Sequence, residues 1–146
     1  MSKGAFDDER EVWPVVLAYW RSFPAEAFDD GLQDEIISCV RNITSTMADW
    51  KAAIEGDAAA ACGLALKMPV PERISARVDL LMTVLLNCAF VNPAAAFVLA
   101  NRLDQMPLPR RRRARLSTSW KVHNIYLARR SYGRRSIPSA LFRRED

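Results

Sequence analysis

The sequence predicts an all-α fold, a single-domain irregular bundle of five to six helices with a basic C-terminal extension. Three observations lead there. From Ile74 to Val91 the chain is apolar on most sides, and Ile74, Val78, Leu81, Leu85 and Cys88 recur at the alternating four- and three-residue step of a helix face. Proline, glycine and Asp/Asn punctuation divides the remainder into helix-length segments. Half of the 146 residues are apolar, enough for one packed core in a chain of one domain's length.

The first helix is expected to begin near Glu11 to Pro14. Asp7, Asp8, Glu9 and Glu11 complement a helix N-terminus, and Pro14 suits a first turn, where its missing N–H is not needed. Trp13, Val16, Leu17 and Trp20 form its stripe, and the helix stops before Pro24. A long helix is then expected from Leu32 to Glu55. Its apolar residues include Leu32, Ile36, Val40, Ile43, Met47, Trp50 and Ile54, and Gly56 ends it. That stripe has two readings: packing against the central helix, or a homodimer seam through Leu32, Ile36, Ile43, Met47 and Trp50.

Asp57 is placed to cap a short Ala-rich helix from Ala58 to about Lys67. Met68-Pro69-Val70-Pro71 ends it and starts the central helix, with Pro71 at or near its first position. The central helix is too short and too charged at Arg73, Arg77 and Asp79 to span a bilayer, which takes roughly 20 apolar residues, so no membrane insertion is expected. Asn92 then caps a further helix with Pro93 at its first position, carrying Ala94 to Leu103 up to Met106-Pro107-Leu108-Pro109.

Three Ala-rich passages echo one another: Pro24-Ala25-Glu26-Ala27-Phe28, Ala58-Ala59-Ala60-Ala61-Cys62 and Pro93-Ala94-Ala95-Ala96-Phe97 begin 34 and then 35 residues apart. Leu64-Ala65 matches Leu99-Ala100, and Met68-Pro69 and Met106-Pro107 close the two later copies. Such a period is that of stacked helix–turn–helix units. The short helices resemble the second helix of a tetratricopeptide-type hairpin, and the resemblance extends at most from Pro24 to Pro107. The family's Trp, Leu-Gly and Tyr positions on the first helix are not reproduced. An irregular bundle with two or three Ala-rich helices accounts for the same matches.

Charge divides the chain in two. Up to Pro109 there are 9 Lys and Arg against 15 Asp and Glu, and from Arg110 on there are 12 against 2. Residues 1–109 are thus expected to form an acidic helical body and residues 110–146 an Arg-rich segment. Within that segment, Arg110-Arg111-Arg112-Arg113 should be extended or partly helical through self-repulsion. One amphipathic helix should follow at about 117–131, capped by Ser117 or Ser119, with Leu116, Trp120 and Leu127 on one side and Val122, Ile125 and Tyr126 widening that side into a broad apolar surface, docked on the body through Trp120 and its neighbours. An irregular tail follows, in which Ile137, Leu141 and Phe142 can pin the chain to the body.

Guanidinium groups bind phosphate oxygens in paired hydrogen bonds and release counterions. Arg110, Arg111, Arg112, Arg113, Arg115, Lys121, Arg129, Arg130, Arg134 and Arg135 are therefore the candidate nucleic-acid contacts, and an acidic protein surface is the alternative partner. Trp120, Tyr126 and Tyr132 can add base stacking where exposed. No nucleic-acid recognition motif accompanies them, so no sequence specificity is expected.

Catalysis has little to build on. His123 is the one histidine, expected to pack beside Trp120 and Leu127 or to hydrogen-bond at the surface, and no Gly-rich phosphate loop, HExxH or GxSxG occurs. The pairs Asp7-Asp8, Asp29-Asp30 and Asp34-Glu35 fall at expected helix starts, where capping explains them. Cys39, Cys62 and Cys88 are odd in number, far apart and set among apolar residues, the pattern of reduced core thiols. The sequence therefore predicts a cytoplasmic, non-enzymatic binding protein or adaptor without cofactor or metal. The N-terminal stretch has no apolar run of the kind a signal peptide requires, and Asn42-Ile43-Thr44 matches a glycosylation sequon by chance.

Overall fold

In the computed structural model, residues 15–134 are described, and they contain α-helices and 3-10 helices without strands. The order is a 3-10 helix Val15–Arg21, a 3-10 turn Ala25–Ala27, then α1 Asp30–Arg41, α2 Trp50–Ile54, α3 Ala58–Lys67, α4 Ala76–Ala89, α5 Pro93–Asp104 and α6 Arg110–Arg134. The start of the first expected helix, with Trp13, and the tail residues Ile137, Leu141 and Phe142 lie outside the described residues.

Helix α4 is the central element. Every residue from Val78 to Leu86 is buried, as are Cys88 and Ala89, because the 3-10 helix, α1, α2, α3 and α5 all pack around it. It begins later than the proline pattern predicts. Ser75 accepts a hydrogen bond from the Val78 amide at 3.3 Å, so a serine cap, and not Pro71, sets the first turn. The other caps fall where the sequence places them: Asp57 accepts from Ala60 N at 3.1 Å and Asn92 from Ala95 N at 3.0 Å, with Pro93 opening α5.

Two polar groups one turn apart on α4 hold the amino-terminal 3-10 helix. Asp79, 4% exposed, accepts from the Trp20 indole N–H at 2.8 Å and from Arg21 Nε and Nη2 at 3.0 and 3.1 Å. Thr83 donates to Leu17 O at 3.3 Å. Trp20 and Leu17 are thereby fixed in the core, Trp20 fully buried. Arg102 of α5 is also buried, and its Nη2 donates to Met68 O at 2.8 Å, clamping the turn between α3 and α4.

The expected long helix from Leu32 to Glu55 is not continuous. It breaks after Arg41, and the chain resumes a helix only at Trp50. The apolar period runs through the gap, but Asn42-Ile43-Thr44-Ser45-Thr46 is a run of β-branched and short polar residues whose side chains compete for the backbone. Asn42 Nδ2 donates to Ser38 O at 3.0 Å, Ser45 Oγ accepts from Met47 N at 3.1 Å, and Asp49 takes a left-handed conformation at φ 67°. The stripe survives without the helix. Trp50 Nε1 donates to Ile43 O at 3.1 Å, and Ile43, Met47 and Ile54 still pack on the core that buries Ile36, Val40 and Trp50.

Of the three echoing passages, the two later ones are the packed helices α3 and α5. The first forms only the turn Ala25–Ala27 and ends at Phe28, so the arrangement is an irregular bundle at its amino-terminal side.

Removing the Asp79 carboxylate leaves a buried indole N–H and a half-buried guanidinium unanswered. Asp79→Ala is expected to lower the unfolding free energy by about 3 kcal/mol and Thr83→Ala by about 1 kcal/mol. In urea titrations the Asp79 change should move the midpoint and leave the slope unaltered. A midpoint equal to that of the unaltered protein would refute the tie.

Candidate functional site

Helix α6 has 25 residues, about 37 Å at the usual rise, and it starts at Arg110, not near Ser117. Pro109 O accepts from Arg113 N at 2.8 Å and closes the first turn. Four consecutive arginines point about 100° apart around a helix, so their charges splay into water, and arginine is itself a good helix former. The two serines expected as caps do other work. Ser117 is buried and donates to Ala100 O at 3.2 Å, while Ser119 donates to Leu116 O at 2.7 Å and accepts from Ala25 N at 2.9 Å.

Leu116, Trp120 and Leu127 form the buried side of α6, seated on α5 along its length and on the Ala25–Ala27 turn. The outward side reads Arg111, Arg115, Thr118, Val122, Ile125, Arg129, each exposed and each four or three residues after the last. Tyr126 stands beside that row.

The candidate contacts fall into distinct environments. Arg110, Arg111 and Arg112 are exposed on the first turn, which contains no acidic residue. There the leading amides lack intrahelical acceptors and the helix dipole is positive, so guanidinium and backbone act in the same sense on an anion. Arg113 is half-buried and donates to Met106 O at 3.3 Å. Arg115 pairs with Glu26 at 3.2 Å and Lys121 with Asp104 at 3.2 Å, all four side chains being well exposed. Burial would raise the Asp104 carboxyl, but Lys121, paired with it at 3.2 Å, and the nearby Arg113 help hold the group below its ordinary value. Arg129 and Arg130 are exposed. Arg134 closes the helix, and Arg135 lies outside the described residues.

Between α6 and the Ala25–Ala27 turn lies an open groove of about 670 Å³, lined among others by Glu26, Arg115, Thr118, Val122, His123 and Tyr126. His123 and Tyr126 supply its aromatic lining, with Trp120 buried behind His123. The Trp120 and His123 rings meet edge-on at 5.2 Å, His123 and Tyr126 lie 6.0 Å apart, and Trp120 is backed by Phe28 and Phe90 at 6.2 and 5.9 Å. Because a carbonyl can only accept, the 3.0 Å contact of His123 Nε2 with Phe90 O is an N–H donation that fixes the ring. Of the three rings named for stacking, Trp120 is fully buried and Tyr126 is 52% exposed, while the Tyr132 side chain lies outside the described set.

The five candidate interface residues gather on the chain's own core: Ile36 and Trp50 are buried, and Leu32, Ile43 and Met47 are half-buried against it. Asp29 caps α1 by accepting from Leu32 N at 2.9 Å, and Glu35 accepts from the Tyr19 hydroxyl at 2.7 Å. Asp7 and Asp8 lie outside the described residues. Sequence reasoning missed Glu26 and the groove, since nothing local to Pro24–Phe28 says that it will face α6 some 90 residues later. Among the described residues no cluster of His, Cys, Asp or Glu is arranged to hold a metal ion, and no helix is long and apolar enough to cross a membrane. No family model matches the chain, and no curated protein or solved structure is significantly similar to it.

The thiols are the remaining nucleophiles, and burial works against them. It raises the pKa of Cys39 and of Cys62, and pushes Cys88 up to about 11, with Cys62 and Asp57 nearby adding to the shift. The folded state thus prefers the neutral Cys88 thiol, a preference fully present below the unfolded thiol's pKa of about 8.5 and lost as pH rises toward 11. At pH 8 a thiol reagent is expected to label Cys88 only after unfolding in urea. Equal labelling rates in folded and unfolded protein would contradict its placement.

Proposed function

We propose that this is a non-enzymatic helical binding protein that holds nucleic acid through its phosphates, without strong sequence specificity, on the outward side of α6. The observation that carries the proposal is the first turn of that helix. Arg110, Arg111 and Arg112 are exposed there, at the positive end of the helix dipole, with no acidic residue in the turn. A folded chain gains nothing for its own stability from cations at a helix N-terminus, and a phosphate offsets both the charge and the open amides. Arg129 and Arg130 supply a second exposed basic pair further along the same helix.

A second reading has its own support. Val122 and Ile125 are 61% and 56% exposed between the two basic clusters, and an apolar strip rimmed by arginine also suits an adaptor, inhibitor or chaperone that docks on an acidic protein partner.

The two readings part in one experiment. Binding to random-sequence nucleic acid at low salt should weaken steeply as salt is added. Changing Arg110, Arg111 and Arg112 together to Ser should lower affinity for every sequence alike and reduce the magnitude of the salt slope by about 3 if each contacts one phosphate. Arg113 is kept, because it serves the fold. Unchanged affinity in the triple variant would overturn the nucleic-acid reading and leave the protein-partner one.

A further inference from the structure

We infer that the groove between α6 and the Ala25–Ala27 turn is a nucleotide subsite for single-stranded nucleic acid, with an unstacked base lying on Tyr126 and neighbouring phosphates held by Arg115, Arg129 and Arg130. The inference rests on the nucleic-acid reading above and narrows it to strands whose base faces are free.

A ligand held through phosphate alone would meet the arginines and leave the rest of this surface in water. The rest is apolar: Val122, Ile125 and Tyr126 are all more than half exposed, and Val122 and Tyr126 line the groove. A purine or pyrimidine face covers such a surface and an aromatic ring in particular, and this stacking tolerates any base. The bases of a duplex are stacked on one another and present only their edges, so they cannot reach Tyr126 in this way. At about 670 Å³ the groove is the size of ordinary small-molecule sites.

The Tyr126 ring has neighbours on both flanks before any strand arrives. Arg130 Nη1 donates to the Tyr126 hydroxyl at 3.1 Å, and its guanidinium carbon stands 5.4 Å from the ring centroid. The cation thus lies over the ring within cation–π reach, and a base that stacks on this face displaces the guanidinium toward a neighbouring phosphate. On the other flank His123 is locked to Phe90 O and braced by Trp120.

Charge at the groove is mixed, and this sets the order of events. Arg115 is shared with Glu26 at 3.2 Å. An exposed pair of this kind contributes little to stability, so a phosphate can take the guanidinium while Glu26 turns to water. Thr118 adds an exposed hydroxyl on the same wall.

The test is fluorescence anisotropy on the full chain, with a mixed-sequence single-stranded oligonucleotide and the duplex of the same sequence, at low salt. Tyr126→Ala is expected to weaken single-strand binding by roughly 5- to 150-fold, the range for loss of one stacked base, and to change duplex binding by less than about twofold. Tyr126→Phe should retain the single-strand affinity, and thermal melting should show both variants folded, since the side chain is exposed. If Tyr126→Ala leaves single-strand binding intact, or weakens both forms equally, the subsite is refuted while the arginine reading stands. If the unaltered chain binds neither form, the broader reading falls and this one with it. Capture of an acidic helical peptide in place of either strand, lost in Tyr126→Ala, would assign the groove to a protein and overturn the proposal.

Discussion

A carboxylate buried on a central helix must be met by donors, and that requirement decides where the amino-terminal segment lies. Asp79 is surrounded by apolar neighbours on α4, and an uncompensated charge there would cost several kcal/mol. Its three hydrogen bonds come from Trp20 and Arg21, nearly 60 residues earlier. The 3-10 helix therefore cannot slide along α4 without breaking them, and Thr83 adds a second anchor one turn on. Apolar packing alone would tolerate several placements of so short an element; a bidentate ion pair with an indole N–H tolerates one.

From that anchor the placement carries outward to the surface. Tyr19, Phe23 and Phe28 follow in line, with ring centroids 5.3 and 5.9 Å apart. Phe28 meets Phe90 at 5.2 Å and Trp120 at 6.2 Å, so the end of α4, the Ala25–Ala27 turn and α6 close on one aromatic cluster. The Ala25 amide then donates to Ser119, and Glu26 is left facing Arg115. The groove is thus a consequence of core geometry, since its two walls are both fixed by rings that lie beneath it.

This dependence explains what could be read from the sequence and what could not. Caps and apolar periods are local, and Asp57, Asn92, Pro93 and the burial of α4 follow from them directly. The break after Arg41 was hidden because Ile43, Met47 and Trp50 keep a helical period while their backbone does not keep a helix; the polar side chains between them hold the signal, and it is weaker than the stripe. The start of α6 departs from its expected place for the opposite reason. Arg113 bonds Met106 O in the turn just past α5, and Lys121 pairs with Asp104 at the end of α5, tertiary support that the self-repulsion of Arg110 to Arg113 does not reveal. That Glu26 faces α6 is set by contacts across the whole chain, and no local pattern encodes it.

The fold also separates the arginines by what they do for it. Arg113 bonds a backbone carbonyl, Arg115 and Lys121 meet carboxylates of the body, and Arg129 and Arg130 lie in the half of α6 where the dipole favours cations. Arg110, Arg111 and Arg112 have no such account. They stand at the end where the dipole disfavours them, and no described carboxylate pairs with them within 4.0 Å. The distance from this cluster to Arg129 and Arg130 is about 28 Å along the helix. A compact anion meets only one of the two clusters, whereas a chain of phosphates can meet both and cross the apolar strip between them. The charge of the first turn is therefore the part that the fold itself does not account for.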